Sequence, residues 1–129
     1  MKHLGWKKEE SGQSMVEFAL ILPILLLLIV GIMEFSWLFH QQTQVTAAAR
    51  EGARTRVVMM AENVSKEKVD TAVANSLPSS VSDPTITIKY NEEEATVYVE
   101  VEASSLTGLF DVMDDLYTLS ASATMRLEE

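Results

Sequence analysis

The run FALILPILLLLIVGIM, residues 18–33, holds sixteen residues without a charge between Glu17 and Glu34. A helix of that length covers about 24 Å, short of the ~30 Å hydrocarbon core of a bilayer. Counted from Gln13, the run reaches twenty-one residues, which is enough to span. Either Glu17 falls inside the membrane edge, or the segment does not cross. A charged side chain in a membrane helix costs about 2.5–3.5 kcal/mol at the centre and less toward the ends, and such residues usually have a task. Pro23 withholds a donor from the carbonyl of Ala19, so a local bend is expected there, of a kind that membrane helices tolerate.

A cleaved secretory signal peptide fits this run poorly. Its processing site needs small residues directly after the apolar core. Here the cluster Ala47-Ala48-Ala49 follows Met33 by fourteen residues, beyond Trp37, Phe39 and three glutamines. A plain signal anchor fits. Ahead of the run, MKHLGWKKEESG at residues 1–12 reads as a short polar leader rather than a folded element.

The remainder of the 129 residues is polar and acidic, with a formal net charge of -9. A nucleic-acid partner wants a basic face, so that class is excluded. No cysteine is present, which removes a disulfide framework and any thiolate metal site. His3 and His40 have no companion at metal-ligand spacing. The acids 92–94 and 114–115 lack the glycine and alternating ligands of a calcium loop. No serine is set up with a His–Asp relay, and no glycine-rich phosphate loop occurs. The chain reads as an assembly part with no catalytic residue, metal or cofactor.

Helical periodicity continues through residues 41–60. Ala48 and Gly52 are four apart, as are Ala49 and Ala53, which puts a small-residue stripe on one face. Such a stripe lets two backbones approach closely, or is simply an alanine-rich helix. Arg50 and Arg54 form a cationic edge, solvated or paired with acids of a neighbour. Asn63 breaks the pattern and Ser65 reads as an N-cap. Val69, Ala72, Val73 and Leu77 then mark an amphipathic helix that ends at Pro78.

After Pro84 the period becomes two. Ile86, Ile88 and Tyr90 alternate with polar residues, and 91–94 is turn material. Val97, Val99 and Val101 alternate next, and then Leu119, Ala121, Ala123, Met125 and Leu127. Three half-buried strands make a small antiparallel sheet with one apolar face, covered by the helices. The predicted class is α+β: a long N-terminal transmembrane helix, a second helix and a three-stranded antiparallel sheet. Between the last strands, LTGLFDVMDDL at 106–116 has the spacing of a short amphipathic helix or turn. Leu109 and Phe110 either plug the sheet or form a partner-docking edge.

The string GQSMVEF, residues 12–18, resembles the processing site of type IV pilin-like precursors. More narrowly, GQSMVEFALILP at 12–23 with AAAREGAR at 47–54 resembles the TadE-like family, minor pseudopilins of the tight-adherence (Flp) pilus system. The resemblance implies a prepilin peptidase cut between Gly12 and Gln13, with Glu17 as fifth mature residue and Phe18 after it in the motif. Gln13 stands where the broader pilin class often has Phe or Met. A pilin-like fold follows from the resemblance, with a leader at 1–12, an assembly helix at 13–39 and an extracytoplasmic head at 40–129.

The implied partners are the peptidase, the major pilin, other pseudopilins and the inner-membrane assembly platform. The charges flanking the span nearly cancel, three lysines before it and Arg50, Arg54 and Arg56 after it. The orientation, N-terminus inside and head outside the cytoplasmic membrane, is therefore implied by the resemblance alone. A membrane-tethered binding module that is never cut is the alternative reading.

Overall fold

The computed structural model describes residues 7–60, 65–91, 93–108 and 118–126. One helix, α1 (Lys7–Met60), carries the chain through the apolar run and onward without a break. Its 54 residues correspond to about 81 Å of axis. Pro23 lies inside it. The polar leader reads as no folded element in the sequence, whereas α1 already starts at Lys7. Its first turn, KKEE, is made of good helix formers with no breaker.

Helix α2 (Lys66–Ser76) follows. Ser65 holds the extended N-cap conformation, but its hydroxyl makes no cap bond; its carbonyl accepts from Lys68 N at 3.1 Å. Val69 and Val73 are the buried residues of α2, as the periodicity predicts. The chain leaves the helix with Leu77 N donating to the carbonyls of Val73 and Ala74.

Strands β1 (Ser82–Tyr90), β2 (Glu94–Glu102) and β3 (Thr118–Arg126) form one antiparallel sheet in the order β1-β2-β3. β1 starts three residues before the alternation does. Ser82 still pairs with Glu102, across a register shift between Ser82 and Thr85. Pro84 sits in that irregularity, on an edge strand, where a missing N–H is tolerated. β2 is the central strand, and Ala95, Val97, Val99 and Val101 on its inner face are all buried.

The core joins that face to Val45, Ala48, Ala49 and Ala53 of α1 and to Val69 and Val73 of α2. Ile86, Ile88, Leu119, Ala121, Ala123 and Met125 pack around it half-buried. The result is a two-layer head, with both helices on one face of the sheet. The opposite face is polar, with Thr96 and Thr124 hydroxyls 2.8 Å apart, Lys89 over the Tyr98 ring at 5.2 Å, and Arg126 paired with Glu94 at 2.8 Å.

Candidate functional site

Below the head, α1 exposes its apolar side chains in every direction. Phe18, Leu20, Ile24, Leu27 and Ile32 are each 60–70% accessible. The stretch long and apolar enough to cross a membrane lies within Gly12–Val58, and its most apolar window is not buried in the molecule. A soluble monomer does not carry so large a continuous apolar surface. A helix apolar all round belongs in lipid or among other such helices.

Near the start of this surface, Gln13 Nε2 donates to Glu17 Oε1 at 3.3 Å, one helical turn along. Both are exposed, as are Gly12 and Phe18. A Cβ added at Gly12 would meet nothing within 4 Å. The four residues of the motif therefore lie together on an open end of α1, held by no contact with the described residues of the head.

At the other end of the apolar run, Glu34 is 1% accessible. Its carboxylate accepts from Leu106 N at 2.9 Å, Thr107 N at 3.0 Å and Thr107 Oγ1 at 2.8 Å. Buried carboxylates are tolerable when hydrogen bonds replace water, and these come from the segment after β2. Higher on α1, Trp37 Nε1 and Gln41 Nε2 both donate to the carbonyl of Ser104, at 3.0 and 2.9 Å. Gln42 Nε2 donates to the Ser120 carbonyl of β3 at 2.9 Å. Gln41 is 1% accessible, and its Oε1 has no hydrogen-bond partner among the described residues.

The small-residue stripe continues this seam. Ala48, Ala49 and Ala53 are fully buried. A Cβ at Gly52 would stand 2.5 Å from Val73 Cγ2 and 3.2 Å from Val97 Cγ1. The backbones that approach here are those of α1, α2 and β2 in one chain. Arg50 and Arg54 lie on the outer side of α1, exposed, along an open groove that also takes in Phe39, Thr43, Ala47 and Met125. At the top, the Arg56 guanidinium lies over the Tyr90 ring at 4.5 Å.

Sequence reasoning missed the role of Glu34, Trp37 and Gln41. A signal existed: Glu34 and Gln41 are seven apart, on the helical phase that later carries Val45, Ala48 and Gly52. Polar residues on a buried phase ask for partners. Leu109 and Phe110, the expected plug or docking edge, lie outside the described residues. Among the described residues, no three His, Asp or Glu side chains converge as a metal site would require.

Residues 12–54 match the family model described as TadE-like protein. The matched third of the chain runs from Gly12 through the motif, the apolar run and the Glu34–Ala53 seam. No curated protein and no solved structure matches the chain.

Proposed function

We propose that this TadE-like chain is a minor pilin or pseudopilin of a tight-adherence pilus, with a structural rather than catalytic role. The observation that carries the reading is the contrast along α1: its upper half is packed into the head, and its lower half presents an apolar surface that none of the described residues covers. Lipid covers that surface before assembly, and the helices of the major pilin and other pseudopilins cover it afterwards. The head stands outside the cytoplasmic membrane, and a prepilin peptidase removes residues 1–12.

Glu17 has a part in this reading. It lies seventeen residues before Glu34, or about 26 Å down the axis, within the ~30 Å hydrocarbon core. Removal of the leader places a new amine on Gln13, one turn from Glu17. In low dielectric the two charges attract far more strongly than in water. Within one chain the pair is poorly aligned; between subunits, Glu17 of an entering chain meets the amine of a chain already docked. A buried pair adds little net stability, so it fixes axial register rather than affinity.

The test is co-expression with the cognate peptidase and pilin components. Intact mass should show loss of residues 1–12. Glu17→Gln should be inserted and cleaved but should fail to co-assemble with the major pilin. Full assembly of processed Glu17→Gln protein would overturn the register role. Retention of the leader beside an active peptidase would overturn the pilin reading.

A further inference from the structure

We propose that the segment after β2, residues 104–108, is a membrane-facing foot, which Glu34 holds at the outer end of the apolar span so that Leu106 contacts lipid. The inference rests on α1 crossing a bilayer.

The path of the segment is fixed by its bonds. Ser104 is tied to Trp37 and Gln41, whereas Leu106 and Thr107 are tied to Glu34. The chain therefore descends along α1 from the head toward the apolar run, by about 5–10 Å of helix axis. At its lower end Gly108 takes a left-handed φ of 71°, which glycine adopts without the penalty of a Cβ. Leu106 has its N–H on a buried carboxylate and yet is 47% accessible. The backbone of this leucine is thus held beside the apolar run, with its side chain open to whatever medium surrounds that level of α1.

The level at which it is fixed identifies the medium. Ile32, Met33 and Phe35 are 60%, 51% and 62% accessible. Successive helix residues are turned by about 100°, so these three surround the sides of α1 that Glu34 does not occupy. A partner helix covers one side of a cylinder; a bilayer covers all of it. Residues 104–108, SSLTG, carry no charge, so the contact suits the uncharged acyl and glycerol zone rather than anionic headgroups. Trp37 at the same boundary fits the aromatic belt of membrane helices. The head thus sits on the bilayer, with no stalk between.

The chain has no cysteine, so single-cysteine labels are unambiguous. Full-length Leu106→Cys, Thr87→Cys on the outer sheet face and Ile24→Cys in the span are each labelled with an environment-sensitive fluorophore in phosphatidylcholine vesicles. Leu106→Cys should emit blue-shifted, be quenched by nitroxide near the lipid headgroups, and resist aqueous iodide several-fold better than Thr87→Cys. Adding Glu34→Ala should release the label to iodide. Iodide access at Leu106→Cys equal to that at Thr87→Cys, with Ile24→Cys still quenched by lipid, overturns the foot and leaves the membrane span standing. Shielding that survives Glu34→Ala overturns the hold by Glu34. Loss of lipid quenching at Ile24→Cys overturns the span and the foot together.

Discussion

Replacing Glu34 by alanine removes the acceptor of three hydrogen bonds, two from backbone N–H groups and one from a hydroxyl. Bonds to a charged group are worth about 1.5–3 kcal/mol each, so the gross loss exceeds 4 kcal/mol on the same scale. Two effects reduce it. Once released from α1 the donors can swing out to water at the bilayer surface, Leu106 and Thr107 both lying on the outside of the molecule, and the carboxylate no longer has to be desolvated. A net loss of about 2–4 kcal/mol is expected for Glu34→Ala. Glu34→Gln keeps one acceptor but turns an NH₂ toward a backbone N–H, for a loss of about 1–2 kcal/mol. Urea unfolding of the full chain in detergent, with Trp6 replaced by Phe so that Trp37 beside the same segment is the one fluorescent tryptophan, measures both. Amide exchange at Leu106 and Thr107 should accelerate in step. If both variants stay within about 0.5 kcal/mol of the parent, the range of an ordinary surface substitution, and both amides keep their protection, the clasp has no energetic role.

Gly52→Ala should destabilise the head by about 1–2 kcal/mol, since overpacking outweighs the gain in helix propensity. The clash is with Val73, whose branched side chain cannot rotate away within a helix. Gly31→Ala, with nothing within 4 Å of the new Cβ, should be neutral or slightly stabilising; the same urea titration compares the two. Glu94→Gln should cost less than about 0.5 kcal/mol, because its pair with Arg126 is exposed on both sides. A loss above about 1 kcal/mol would mean that the hairpin depends on this pair far more than surface pairs usually allow.

The strands and helices were legible where one face is buried. Val97, Val99 and Val101 declare β2 because a central strand with one covered face must alternate. Val69 and Val73 declare α2 for the corresponding reason at helical period. The start of β1 was hidden by Pro84, which reads as a breaker but lies at a bulge on an edge strand. Helical structure from Lys7 was hidden by the polarity of the leader, which says nothing against a helix continuing backward from a strong nucleus. Glu34 was read only as the end of the apolar run. Its partners are mainly backbone N–H groups more than seventy residues away, and a backbone donor leaves no mark in a sequence. The motif at Gly12, Gln13, Glu17 and Phe18 was legible through resemblance, and its residues touch none of the described residues of the head from which geometry could have recovered them.

The continuity of α1 has a mechanical consequence. Residues 34–53 are clasped to the head, and the same helix enters the apolar run with no loop between, so from the head down to Pro23, where a bend is expected, the shaft has no joint. Turning the shaft by one residue's worth of helical twist, about 100°, turns the sheet by the same angle. Any neighbour that selects a side of the lower helix therefore also selects the compass bearing of the polar sheet face above it. In a helical array, packing in the core and the pattern displayed on the outside would be set by a single rotation.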